Sequence, residues 1–308
     1  MPVDANLAAM LDAMAGADPV ELSDMSVDEA RSMMGMLALV DGEPEPVAEV
    51  TDRVVPGPGG DIPVRVYRGP AGDEPLGILV WYHGGGWVIG DLDSADTTAR
   101  KLAGRAGIVV VSVDYRLAPE HPFPAGPDDC WAVLEWVVAH GTELGGDPTR
   151  LAIGGDSAGG NLSAVTAVAA RDAGIALRHQ LLVYPATDLT LSSPSITTNG
   201  EGYLLTGKAM KWFGDHYLQG QDPTDPKVSP AYTPDLAGVA PATVYTAEFD
   251  PLRDEGNAYA EQLAGADVPT ELICWPGMIH GFFALSTVTP VTNQAIDAAS
   301  ARLRTALT

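Results

Sequence analysis

Apolar and polar residues follow one another in three rhythms along this chain. Near the start, Leu7, Met10, Leu11 and Met14 recur at helical spacing, and Ala30, Met33, Met34 and Leu37 make a second such stripe. Ser26 followed by Glu29 reads as a capping box for that second helix, and Gly42, Pro44 and Pro46 end it. From about residue 49 the period falls to two. Val50 to Val55 and Ile62 to Tyr67 alternate around the turn Pro56-Gly57-Pro58-Gly59-Gly60, which predicts an antiparallel hairpin. Short unbroken apolar runs follow at Ile78 to Tyr82, Ile108 to Val113, Leu151 to Ile153, Leu181 to Tyr184, Ala242 to Tyr245 and Glu271 to Trp275. Such runs suit strands buried on both faces. Helical stretches near 94–105, 127–140, 159–173, 251–264 and 292–307 separate most of them. Strands alternating with helices predict an α/β fold with a mostly parallel sheet covered on both sides.

One stretch breaks the rhythm. Between Leu189 and about Pro230 no buried strand is evident; there is a helical piece near Lys208 to Leu218 and the turn-rich run Asp222-Pro223-Thr224-Asp225-Pro226. An insertion of that size in an α/β core is often a lid.

Composition sharpens this picture. The 308 residues hold 17 Lys and Arg against 41 Asp and Glu, a net charge of −24. A polyanionic partner would be repelled, so the expected partners include neither nucleic acid nor an anionic membrane surface. The acid is uneven: residues 1–50 carry eleven Asp or Glu, one Arg (Arg31) and seven of the nine methionines. That shift marks the first segment as a separate structural unit. Cys130 and Cys274 form neither a metal-ligand spacing nor a disulfide framework, and are expected as buried, reduced thiols. No apolar run approaches the roughly 20 residues of a spanning helix, and the start lacks the basic residues of a signal peptide. The expectation is a soluble, cytoplasmic protein.

The central chemical signal is Gly155-Asp156-Ser157-Ala158-Gly159, with an apolar strand before it and a helical stretch after it. Gly-x-Ser-x-Gly in that setting is a nucleophile elbow: a sharp turn exposes the serine, and Gly155 and Gly159 supply the room. The second signal is His83-Gly84-Gly85-Gly86, directly after an apolar run. Consecutive glycines let backbone N–H groups close on a developing oxyanion. A phosphate-binding loop is the rival, but the Lys and Ser/Thr of a P-loop and the full G-x-G-x-x-G spacing are missing.

A serine nucleophile needs a base, and the base needs an orienting acid. Of six histidines only His280 follows the last predicted strand, in a glycine-flanked loop. Asp250 lies between Ser157 and His280 in sequence and directly after a strand, which completes the order Ser, Asp, His. Asp254, one helical turn further on, and Asp188 are rival acids. His83 is expected to brace the glycine loop.

These strings together resemble the hormone-sensitive-lipase-like branch of the α/β-hydrolases, known as bacterial esterase family IV. The matches are His83 to Trp87, Asp114 to Glu120 (DYRLAPE), Gly155 to Gly160 (GDSAGG, the form of one main subgroup), Asp250 to Gly256 (DPLRDEG) and His280 to Phe282 (HGF). The resemblance implies an eight-stranded α/β-hydrolase core over 49–188 and 229–308, with a helical cap from 1–48 and 189–228. It implies a serine carboxylesterase acting on small, neutral, short- to medium-chain esters through an acyl-enzyme, with no metal or organic cofactor. In that scheme Ser157 attacks, His280 moves the proton, Asp250 orients it, and the N–H groups of Gly84, Gly85 and Ala158 form the oxyanion hole. Gly86, Asp156 and Glu248 support these residues. Trp87, Met34, Trp212 and Phe282 are candidate pocket residues, with Met10, Met14, Met33, Met36, Phe213 and Phe283 beside them. Relatives often form homodimers, and no sequence feature decides the oligomeric state here. Amide or formamide hydrolysis on the same triad, and a non-catalytic small-molecule receptor, are the alternative functions.

Overall fold

The structure is a computed structural model that describes residues 2–16, 20–38, 44–70 and 74–308. Helices α1 (Ala5–Gly16) and α2 (Val27–Ala38) come first. The expected capping box forms: Ser26 N–H donates to Glu29 Oε2 at 2.8 Å and Glu29 N–H to Ser26 Oγ at 3.3 Å. Gly42 and the side chains of Met36 and Leu37 lie outside the described residues. Strands β1 (Glu49–Gly57) and β2 (Gly60–Arg68) are the predicted hairpin, paired from Glu49 with Arg68 to Gly57 with Gly60.

The chain then alternates: β3 (Leu76–Tyr82), α3 (Asp96–Ala106), β4 (Val109–Val113), α4 (Ala125–His140), β5 (Gly146–Asp156), α5 (Ala158–Asp172) and β6 (His179–Val183). Two helices of the insertion follow, α6 (Pro194–Thr198) and α7 (Gly207–Leu218), of which only the second was expected. The chain closes with β7 (Ala242–Phe249), α8 (Arg253–Gly265), β8 (Thr270–Ile279) and α9 (Pro290–Leu307). The strands make one eight-stranded sheet in the order β1-β2-β4-β3-β5-β6-β7-β8. β2 runs antiparallel to both neighbours, and every pair from β4 to β8 is parallel.

The unbroken apolar runs have the predicted cause. In β3, Ile78, Val80 and Tyr82 face one core with Cys130, Val133 and Leu134 of α4, Leu162 of α5 and Leu263 of α8. Leu79 and Trp81 face the opposite core, with Leu102 of α3 and Ile296 and Leu303 of α9. Each fully buried Leu, Ile or Val contributes roughly 1.5–3 kcal/mol, so a strand apolar on both faces anchors two helical layers at once. The edge strand β8 differs. Leu272 and Cys274 are exposed there, so the expectation of two buried cysteines holds only for Cys130. An edge strand has a neighbour on one side only, and the first half of β8 is left partly uncovered. Among the described residues, no helix is long and apolar enough to cross a membrane.

Candidate active site

The expected site residues gather at the carboxyl ends of the parallel strands. Ser157 sits between β5 and α5 with φ 55° and ψ −117°, a left-handed backbone that a residue with a Cβ adopts only under strain. Its neighbours make the turn possible. A Cβ on Gly159 would stand 1.9 Å from the Tyr82 carbonyl oxygen, and one on Gly155 would stand 2.4 Å from that same oxygen. The Ser157 N–H donates to the Val183 carbonyl at 2.9 Å, tying the strained residue to β6.

The rungs of β7 and β8 bring acid and base together. Phe249 pairs with Ile279, so Asp250 and His280 are each the next residue beyond that rung. His280 Nδ1 lies 2.8 Å from Asp250 Oδ2, and His280 Nε2 lies 2.9 Å from Ser157 Oγ. A carboxylate can only accept, so Nδ1 carries the proton and Nε2 offers its lone pair to the serine hydroxyl. Asp250 is fully buried; its other oxygen accepts the Leu252 N–H at 2.8 Å, and Asn199 Nδ2 donates to its backbone carbonyl at 3.1 Å. The Tyr184 ring packs at 4.6 Å from the imidazole. Glu248 lies opposite an irregularity in β8, where it accepts the Gly277 N–H at 2.7 Å and so fixes the turn that leads to His280. The rival acids are engaged elsewhere: Asp254 pairs with Arg253 at 2.8 Å, and Asp188 accepts from Thr190 at 2.7 Å.

The glycine loop departs from expectation at one residue. The Gly84 N–H donates to Asp156 Oδ1 at 3.0 Å, so this group, expected in an oxyanion hole, is already taken. The N–H groups of Gly85, Gly86 and Ala158 form no hydrogen bond to a described residue. Gly85 (φ +114°) and Gly86 (φ +58°) both need glycine, and a Cβ on Gly85 would lie 2.1 Å from the Ile89 carbonyl oxygen. His83 braces the loop as expected: its buried ring donates from Nδ1 to the Gly84 carbonyl at 2.7 Å and stacks on Tyr115 at 4.4 Å. Burial lowers its pKa and keeps it neutral. Burial raises the Asp156 carboxyl to about 6, with the Gly84 N–H and His280 opposing.

Over these groups opens a cavity of about 710 Å³ whose wall is largely apolar. Met10 and Met14 from α1, Met33 and Met34 from α2, and Met210 and Phe213 from α7 line it, with Trp87 and Phe283 from the α/β core. Two expected pocket residues lie elsewhere. Trp212 turns to the far side of α7, edge-on to His216 at 4.4 Å, and Phe282 is fully buried between Tyr184 and Trp275. Adjacent residues on a helix or turn point apart, so Phe213 and Phe283, also expected in the pocket, line it while their neighbours do not. Sequence reasoning overlooked Glu255. Buried at the cavity edge, it accepts from Thr187 N–H at 2.8 Å and Asp188 N–H at 3.2 Å. Its burial, aided by Asp188 and Asp250, pushes its pKa well above the carboxylate range. The missed signal was helical spacing: Glu255 shares a buried face with Tyr259 and Leu263.

Among the described residues, no three His, Cys, Asp or Glu side chains gather as a metal ion would require. The model of an α/β-hydrolase fold family matches residues 79–284, two thirds of the chain, which includes the glycine loop, Ser157, Asp250 and His280 but not the cavity-lining methionines of α1 and α2. The chain belongs to the α/β-hydrolases. Within them it falls in the hormone-sensitive-lipase-like branch, among carboxylesterases. It is 48% identical over 237 residues to the carboxylesterase NlhH of Mycobacterium tuberculosis, covering 75% of this chain and 74% of that protein. It is 42% identical over 302 residues to the carboxylic ester hydrolase LipN of the same organism, covering 94% and 79%. The crystal structure of a hyperthermophilic esterase from the archaeon Pyrobaculum calidifontis superposes with a TM-score of 0.94 at 40% identity, covering 99% of both chains.

Proposed function

We propose that this α/β-hydrolase cleaves small, neutral carboxylic esters through an acyl-enzyme on Ser157. The observation that carries the proposal is the unbroken relay from Ser157 Oγ through the His280 imidazole to the buried Asp250, at 2.9 and 2.8 Å, on the floor of an apolar cavity. In the first half-reaction His280 Nε2 takes the serine proton as Oγ attacks the ester carbonyl, and it then gives that proton to the departing alcohol. In the second half water attacks the acyl-enzyme by the same route. Asp250 holds the tautomer and stabilises the imidazolium. The oxyanion is received by the N–H groups of Gly85, Gly86 and Ala158; Gly84 instead anchors the loop to Asp156.

Residues 1–48 and 189–228 act as a cap, since α1, α2 and α7 supply much of the cavity wall. Methionine faces of this kind repack around acyl groups of different length, and the cavity volume suits short to medium chains. Its charged lining favours a neutral substrate: Glu21, Asp156, Asp188 and Asp215 stand against Lys211, which is itself paired to Asp215 at 2.6 Å.

The test is Ser157→Ala assayed on acetyl and butyryl esters and on matched amides, with fluorophosphonate labelling of the wild type. Loss of ester hydrolysis in the variant and labelling at Ser157 are expected. Unchanged ester turnover in the variant, or an unlabelled wild type, would overturn the proposal. Faster amide than ester turnover would replace the substrate class.

A further inference from the structure

Arg31 is the single basic residue among the first 50, and it makes the densest set of polar contacts between α2 and the α/β core. Its Nε donates to the Val88 carbonyl at 3.0 Å, and one terminal nitrogen donates to the Ala118 carbonyl at 3.1 Å. The fork closes on Glu120 with contacts of 2.8 and 2.7 Å. Val88 belongs to the glycine loop: its N–H donates to Gly85 O at 3.1 Å, and Ala118 N–H donates to Trp87 O at 2.9 Å. One guanidinium thus spans the cavity wall, the loop that carries Gly85 and Gly86, and the loop through Glu120. Two and three residues further along α2, Met33 and Met34 line the cavity.

We propose that Arg31 is a positioning residue that locks α2 onto the back of the glycine loop, so that the acyl-binding wall and the oxyanion donors are held as one rigid unit. This rests on the reading of Gly85 and Gly86 as oxyanion donors. The planar fork is essential to the role. It reaches two carbonyls and a carboxylate at once, which a lysine ammonium on a flexible stem does not reproduce. Exposed ion pairs on their own contribute little, and Glu120 is 52% exposed. The carbonyl contacts, which are part-buried, carry the positioning.

The experiment compares Arg31→Met, which keeps the aliphatic stem, with Arg31→Lys and Glu120→Ala. Rates on acetyl and octanoyl esters are expressed per active site titrated with a fluorophosphonate, alongside melting temperatures. For Arg31→Met, kcat should fall about tenfold on both esters as the donors lose their place. KM should rise several-fold for the octanoyl ester, which reaches Met33 and Met34, and stay within about twofold for the acetyl ester. Arg31→Lys should recover less than half of the loss, and Glu120→Ala, which leaves both carbonyl contacts, should lose no more than about threefold.

The proposal is overturned if Arg31→Met keeps wild-type kcat and KM per titrated site, or if KM rises equally for both esters. It is also overturned if Arg31→Lys restores full activity. Should Arg31→Met fail to fold, Arg31→Lys and Glu120→Ala decide: a lysine variant as active as wild type, or an alanine variant slower than the lysine one, overturns it. An unlabelled wild type would instead strike the acyl-enzyme reading itself, and so the two failures are told apart.

Discussion

Gly86→Ala tests how closely the insertion and the oxyanion loop are fitted. At φ +58°, a Cβ on residue 86 would lie 2.3 Å from Cδ1 and Cγ of Phe213, more than 1 Å inside the 3.4 Å at which ordinary contact begins. Left-handed backbone with a Cβ costs about 1–2 kcal/mol, and forcing a methyl into a packed ring adds about 1–3 kcal/mol. Phe213 is buried on α7, so part of that strain is relieved by shifting the loop. Displacement of positioned donors by about 1 Å costs roughly 100-fold in rate. The expected outcome is therefore a fall of about 100-fold in kcat on an acetyl ester, measured as initial rates per titrated active site. Phe213→Ala in the same chain removes the overlap and leaves only the backbone term. The double variant should then come within about tenfold of the kcat of Phe213→Ala alone. A double variant as slow as Gly86→Ala, or a single variant with wild-type kcat, would refute the steric argument.

Three further outcomes are expected. Asp250→Asn should lower kcat by about 10⁴, because its amide oxygen keeps the Leu252 N–H and turns the NH₂ towards His280 Nδ1, imposing the wrong tautomer; a loss below tenfold in steady-state assays would contradict this. Burial, with Asp91 and Asp93, raises the Asp114 carboxyl to about 6 against Arg65, so its ionisation weakens the fold as pH rises from about 4 to about 6. Asp114→Asn should accordingly be more stable than wild type at pH 7.5, by about 1–2 kcal/mol once solvent screening of this partly exposed group is allowed for, and lose that advantage below about pH 4; a gap independent of pH in thermal melts would count against it. An ester bearing a carboxylate on its acyl chain should show about 5- to 10-fold lower kcat/KM than its neutral isostere at low salt, and added salt should narrow the gap; equal values at low salt would remove the argument from the acidic lining.

Periodicity carried much of this architecture, because burial on one or two faces writes itself into the residue pattern. All eight strands and the helices flanking them follow from it, and Ser157, Asp250 and His280 stand where strand ends place them. What pattern does not encode is direction at single residues. Whether the Gly84 or the Gly86 N–H faces the cavity depends on backbone torsions and on a carboxylate 72 residues away. Phe213 lines the cavity while adjacent Trp212 does not, a difference of helical phase. Cys274 looked like core until β8 proved to be the sheet edge, and strand order is a property of the whole chain. Arg31 was only a count in a charge tally, since its partners lie 57 to 89 residues away.

The rung that joins Phe249 to Ile279 has a consequence for how such a protein can change. Acid and base meet because both follow one cross-strand pair, and the serine is tethered likewise to the end of β6. The reactive distances are thus written in sheet register, and loop length does not enter. The segment between β6 and β7 leaves the sheet after one rung and returns to it at another, so its length can change without moving the rung that sets acid against base, as long as the Asn199 contact with Asp250 and the packing of Phe213 on Gly86 are kept. By the same logic, a single residue gained or lost inside the β8 irregularity that Glu248 holds would dephase the machinery at once. Acid–base register and substrate scope are therefore written on different parts of the chain, but a foreign cap grafted onto this sheet has to reproduce the Arg31, Asn199 and Phe213 contacts that reach the catalytic groups.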